Sequence, residues 1–148
     1  MQALLQRVTE ARVSVAGETV GEIGPGLLVL LGLDRDDDLA TGVRLLEKLL
    51  SYRVFSDAEG RMNLSVRDVA GGVLLVSQFT LSADTGKGLR PSFTSALAPT
   101  QAADLYQQLL IELQARHSPV AAGQFGADMQ VSLTNDGPVT FLLRSAPA

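Results

Sequence analysis

The sequence predicts an α+β fold, mainly antiparallel β-sheet covered by two helices, in a single domain spanning 1–148. Three observations lead there. Apolar and polar residues alternate near both ends of the chain, from Ala3 to Val15 and from Ala127 to Leu143, which is the period of a half-buried strand. Two stretches carry apolar residues at helical spacing instead: Leu39, Val43, Leu46 and Leu50, then Ala102, Leu105, Leu109 and Leu113. Further strand-like runs separate these two helices and outnumber them. A chain of 148 residues that is 46% hydrophobic can bury one substantial core and is too short to divide comfortably into two domains.

In the first strand, Ala3, Leu5, Ala11, Val13 and Val15 share one face, and Arg7 falls on that same apolar face. A buried unpaired cation is costly, so Arg7 needs an account. It either marks an edge, a bulge or a snorkelling stem, or it pins another loop by donating to backbone carbonyls with its rigid fork. Ala16-Gly17-Glu18 turns the chain into a strand over Thr19–Ile23, and Gly24-Pro25-Gly26 turns it again. Leu27–Leu33 is apolar almost throughout and reads as a strand covered on both faces. The acidic run Asp34–Asp38 lies immediately before the first helix, where capping and the helix dipole account for it better than metal binding does.

Short extended pieces are expected at Tyr52–Phe55 and Met62–Val66, and a buried strand at Val73–Val76. That strand runs into Ser77-Gln78-Phe79-Thr80-Leu81 and then a polar, glycine-punctuated loop to Phe93. A second helix opens at Pro99 or Thr100 and runs to about Arg116, with His117 as its cap and Ser118-Pro119 as its stop. The alternation at Ala127–Thr134 and Val139–Leu143, joined by Asn135-Asp136-Gly137-Pro138, predicts a β-hairpin.

Composition removes several chemistries. With no cysteine and one histidine, the chain offers no disulfide, zinc cluster or cysteine nucleophile, and a histidine at a helix end makes no convincing triad. No cofactor or metal is expected. The opening residues lack the regions of a signal peptide, and no apolar run approaches a membrane span, which predicts a soluble, cytoplasmic protein. A net charge of -4 opposes non-specific adhesion to nucleic acid while leaving room for a small basic patch.

What remains is the stretch Ser77–Thr80, the cations Lys87 and Arg90, and the turn Asn135–Thr140. If the strand ends near Gln78, the backbone N–H groups of Gln78, Phe79 and Thr80 can hold a developing oxyanion. Ser77 or Thr80 can orient a substrate; Thr80 as nucleophile lacks an evident base. Gly137-Pro138 taken alone is a common turn with a trans bond.

Taken together, Ser77-Gln78-Phe79-Thr80-Leu81, Lys87-Gly88-Leu89-Arg90-Pro91-Ser92-Phe93 and Asn135-Asp136-Gly137-Pro138-Val139-Thr140 closely resemble the D-aminoacyl-tRNA deacylases. The similarity runs from Gln6-Arg7-Val8 through Phe141, and Met62-Asn63-Leu64, Gly71-Gly72 and Ala127–Val131 look like the bacterial members. The resemblance implies a barrel-like fold of β/β/α layers and a homodimeric hydrolase that cleaves the ester between a D-amino acid and the terminal adenosine of tRNA, and that also accepts glycine mischarged on tRNA(Ala). It implies a cis Gly137-Pro138 bond, in a loop that enters the partner's site and turns its carbonyls to the substrate amino group, leaving no room for an L side chain. It makes Arg7 the residue that fixes that loop, sets Gln78 and Phe79 at the scissile carbonyl, Thr80 as a positioning group beside Ser77, and Met129 in the pocket wall. The tRNA's own 2′-hydroxyl is the favoured participant in catalysis, and Lys87 and Arg90 are candidate tRNA contacts. The alternatives are a sister deacylase acting on L-alanyl-mischarged tRNA and a non-catalytic dimeric binding module.

Overall fold

A computed structural model describes all of residues 1–148. Its spine is β1 (Gln2–Val15), which pairs antiparallel along one edge with β8 (Gln130–Arg144). Along the other edge its first half pairs with β3 (Gly26–Gly32) and its second half with β2 (Glu18–Ile23), again antiparallel. The sheet continues through β6 (Gly72–Ser77) and β7 (Val120–Ala122), joined to β3 and to each other by parallel pairing. β2 closes back on β7: a Cβ built on Gly21 would lie 2.4 Å from the Ala122 carbonyl oxygen, so the sheet curls into a nearly closed barrel. A separate ribbon pairs β4 (Phe55–Ser56) with β5 (Met62–Leu64).

Two cores follow from this curl. Inside it, Val8, Ala11, Val13, Ile23, Leu28, Leu74 and Val76 pack together. Outside it, Leu27, Val29, Leu31, Val73 and Leu75 meet α1 (Leu39–Ser51) and α2 (Pro99–Arg116). β3 and β6 are therefore apolar on both faces, as a covered strand requires, and each fully buried leucine contributes roughly 2 kcal/mol relative to exposure. Asp38 caps α1, its carboxylate accepting from the Thr41 amide at 2.8 Å and the Thr41 hydroxyl at 2.6 Å. The helix buries Thr41, Gly42, Leu45, Leu46, Leu49 and Leu50, a stripe rotated from the one the leucine spacing suggests, because α2 presses on Gly42. A Cβ there would sit 2.3 Å from Leu109.

Three expectations change, and one strand, β7, is added. The first strand does not present one face: Ala3 and Leu5 join the helix-side core while Ala11 and Val13 join the barrel interior. Register shifts between Gln6 and Glu10 reverse the alternation there. The hairpin of the last third is instead the single strand β8, since both of its halves pair with β1 and never with each other. β7, three small residues long, is too short to show a period in the sequence. The short extended piece expected at Tyr52–Phe55 forms as β4 at Phe55–Ser56, because Tyr52 caps the end of α1.

Candidate functional site

β6 is held on both faces, and it delivers a sharp change of backbone direction. The Gln78 amide makes the last ladder bond, to the Leu31 carbonyl at 2.8 Å. A 3-10 turn, Phe79–Ser82, then begins, closed by bonds from Leu81 N to Gln78 O and Ala83 N to Thr80 O, each 3.2 Å. Of the three amides expected to be free, Gln78 is therefore engaged. Phe79 and Thr80 head the turn, where the first N–H groups have no intrahelical acceptor. Both residues are exposed, and the Gln78 side-chain amide donates to the Thr80 hydroxyl oxygen.

The back of the turn is anchored. The buried Ser82 hydroxyl donates to Leu33 O at 3.1 Å, Ser95 Oγ donates to Ser82 O at 2.6 Å, and Gln2 Nε2 donates to Leu81 O at 3.1 Å. Two adjacent amide donors on a fixed turn can stabilise charge without reorganising when it develops. Half-buried Met129 packs beside the barrel core that contains Val76, its sulfur accepting from the Gln124 amide at 3.4 Å. Lys87 and Arg90 stand exposed on the loop that follows the turn.

A second group assembles on β8. Val8 faces Asn135 and Gln6 faces Thr140, so five steps on β8 answer two on β1 and residues 136–138 bulge from the ladder. The Gly137–Pro138 peptide is cis. Gly137 has φ +151, and a Cβ on it would lie 2.5 Å from Val139 N, so no other residue fits this bulge unstrained. Asn135 closes its neck: Nδ2 donates to the carbonyls of Arg7 and Val139 at 2.9 Å each, and Oδ1 accepts from Val139 N at 3.2 Å. Arg7 holds the bulge from the helix side, Nε donating to Asp136 O at 3.0 Å and a terminal nitrogen to Val54 O at 2.8 Å, with the Asp136 carboxylate at 3.4 Å. The sequence reading gave Asn135 no role of its own. Its signal was only the ability of Asn to bond its own backbone neighbourhood.

The two groups do not meet within one chain. Arg7 is in register with Leu27 and through it with Val73, whereas Ser77 is in register with Leu31. Four residues along the strands are about 13 Å, and β8 lies three strand spacings from β6, about 14 Å more across the sheet. No hydrogen bond joins residues 135–139 to 77–82.

The carboxyls held below their ordinary range are Asp38 by the Thr41 hydroxyl, Glu47 by Arg67, Asp57 by the Arg61 amide and Asp68 by the Ser65 amide, all capping or pairing elsewhere. His117 ends α2, and its ring donates to Gly71 O at 2.6 Å.

Comparison with known proteins gives these sites relatives. Residues 4–144 match the family model described as D-Tyr-tRNA(Tyr) deacylase. A D-aminoacyl-tRNA deacylase of Nitrosococcus oceani is 60% identical over all of this chain and 96% of its own, and one of Stutzerimonas stutzeri is 60% identical over 98% of this chain and all of its own. Among solved structures, one described as c-Myc DNA Unwinding Element Binding Protein superposes with a TM-score of 0.94 at 42% identity over both whole chains. A probable eukaryotic D-amino acid tRNA deacylase superposes with a TM-score of 0.80 at 19% identity over 96% of this chain and 97% of its own, a likeness of fold.

Proposed function

Because the chain belongs to the D-Tyr-tRNA(Tyr) deacylase family, we propose that it hydrolyses D-aminoacyl-tRNA with the amides of Phe79 and Thr80 as its oxyanion hole. The observation that carries this assignment is the pair of amides heading a turn anchored by Gln2, Ser82 and Ser95. Water adds to the ester carbonyl, the carbonyl oxygen becomes an oxyanion between the two N–H groups, and collapse of the adduct expels the ribose oxygen, which takes up the proton given up by the added water. The products are a free D-amino acid and free tRNA. One such donor is worth roughly 3 kcal/mol, and an aminoacyl ester is activated enough for orientation and oxyanion stabilisation to suffice. Thr80, whose oxygen accepts from Gln78, positions the substrate together with Ser77; no base stands by to make it a nucleophile. The 2′-hydroxyl of the terminal ribose assists the attacking water.

The chiral filter is the bulge at Gly137 and Pro138, whose carbonyls receive the substrate amino group and whose backbone occupies the space an L side chain needs. Glycine, with no side chain to exclude, passes it. The separation of the bulge from the Ser77–Thr80 turn supports a homodimer in which each bulge completes the partner's site beside Met129. The outer edge of β8 is unpaired over 15 residues, and Val131, Leu133 and Leu142 are exposed on it, a surface that isolated chains seldom leave bare. A duplex-binding reading, raised by the name of one structural relative, meets a net charge of -4.

Hydrolysis of matched D- and L-aminoacyl-tRNA tests the proposal. D-ester cleavage far above the spontaneous rate with little L-ester cleavage is expected. Cleavage of neither overturns it, and cleavage of L-alanyl esters alone assigns the chain to the sister activity.

A further inference from the structure

An aromatic pair stands exposed beside the proposed oxyanion hole, and the mechanism above does not use it. The rings of Phe79 and Phe93 lie 5.1 Å apart at 51°, with Phe79 61% and Phe93 42% exposed. Residues 84–92 form a closed loop between them. Asp84 and Ser92 exchange main-chain bonds of 2.7 and 2.9 Å at its neck, and Ser92 Oγ lies 3.2 Å from Thr94 Oγ1 beyond it. The carboxylate of Asp84 accepts from the Gly86 amide at 2.8 Å, so this acid is turned toward its own loop. Lys87 and Arg90 on the loop form no ion pair, whereas Arg7, Arg67 and Arg116 each face a carboxylate. The tip therefore carries two uncommitted cations on a protein of net charge -4.

We propose that the Phe79–Phe93 rings and the cations of this loop hold the unpaired acceptor end of the tRNA beyond its terminal adenosine, a base stacking on the rings and its phosphates meeting Lys87 and Arg90. The inference rests on the deacylase reading. That reading puts the ester carbonyl at the Phe79 amide, which leaves the exposed surface beside Phe79 within reach of the nucleotide before the terminal one. The adjoining surface is the ring pair. Unstacked bases are recognised by aromatic faces and their backbone by nearby cations, with little demand on sequence. Two point charges on a fixed loop also reconcile an acidic protein with a polyanionic substrate, because only a few phosphates of one strand need neutralising.

The test compares kcat/KM on intact D-aminoacyl-tRNA with kcat/KM on the corresponding D-aminoacyl adenosine, which has the ester and terminal nucleoside but no preceding nucleotide. Phe93→Ala is expected to lose roughly tenfold more on the tRNA than on the nucleoside, the change expected of one base–aromatic stack. Phe93→Leu, which keeps apolar bulk, should show most of that difference. Lys87→Ala and Arg90→Ala should each lower the salt dependence of log KM for tRNA by about 0.7, the value for one single-strand phosphate contact. Equal losses on both substrates would overturn the proposal in favour of Phe93 as a support for the turn. Unchanged salt dependence overturns the cation role, and dissociation of an oligomer by Phe93→Ala would show that a second copy covers the rings. If the unaltered protein cleaves neither D-substrate, it is the deacylase reading that has failed.

Discussion

Arg7 and Asn135 hold opposite sides of one bulge, Arg7 from the helix side through Asp136 O and Val54 O, Asn135 across the neck through Val139 and Arg7 O. Neither touches the turn at Phe79 and Thr80. Arg7→Ala is expected to raise L-ester cleavage relative to D-ester cleavage about 10- to 100-fold, the cost of a filter displaced by about an ångström, while circular dichroism shows the fold retained. Asn135→Asp keeps the shape but replaces the donor to two carbonyls with an acceptor. The same loss of discrimination is expected, with roughly 1–3 kcal/mol of stability lost to unpaired carbonyls. Unchanged L-ester rejection in both variants would remove the bulge from the selectivity account. Arg7 was legible as an anomaly, a cation on an apolar face; Asn135 was not, since a polar residue before Asp-Gly-Pro needs no explanation beyond a turn.

One helix-to-strand tie is written in a single hydroxyl. Tyr106, 3% exposed, donates to the Leu75 carbonyl at 2.8 Å and so fixes α2 against β6, the strand that carries the proposed oxyanion turn. Burial pushes its phenol up from 10.0 to about 12. The folded state therefore favours the neutral form: the contribution is fully present below pH 10 and is lost as pH rises from 10 toward 12. Thermal unfolding should show a fall in stability over that window, on the order of 2 kcal/mol, that is reduced in Tyr106→Phe. At neutral pH the same substitution should cost only about 1 kcal/mol, because Leu75 O also accepts from the Gly123 amide at 3.0 Å and is not orphaned. An alkaline profile identical in both proteins would assign the fall elsewhere. The apolar stripe Ala102, Leu105, Leu109 and Leu113 announced this helix, but it could not show that Tyr106 joins the stripe, since a tyrosine is as common at a boundary as in a core.

At the scale of the whole molecule, the sheet keeps the bulge at Gly137 and the turn at Phe79 apart. Leu4 pairs with Leu142, Ala11 with Leu133 and Val13 with Val131 on the face turned away from the helices, and there the β8 partners are 36–42% exposed. In the proposed homodimer a second copy covers that face and its bulge completes the site at Phe79. Sedimentation equilibrium is expected to find a dimer, and Leu133→Glu combined with Leu142→Glu to yield a folded monomer that loses discrimination between D- and L-esters. A monomer that still rejects L-esters would sink the shared-site arrangement.

By itself the sequence determined the α+β class, both helices and most strands, because alternation and helical spacing are local periods imposed by a core on one side. It also marked both candidate stretches, since motif residues are contiguous in the chain. Tertiary structure alone decided which halves of β1 face which core, that residues 130–144 form one bulged strand and not a hairpin, and which amide of the site is spent on the ladder. Each of those is a matter of strand partners. A strand's hydrogen bonds run to residues distant in sequence, so neither register nor the parity change at a bulge leaves a mark in the pattern of any one segment.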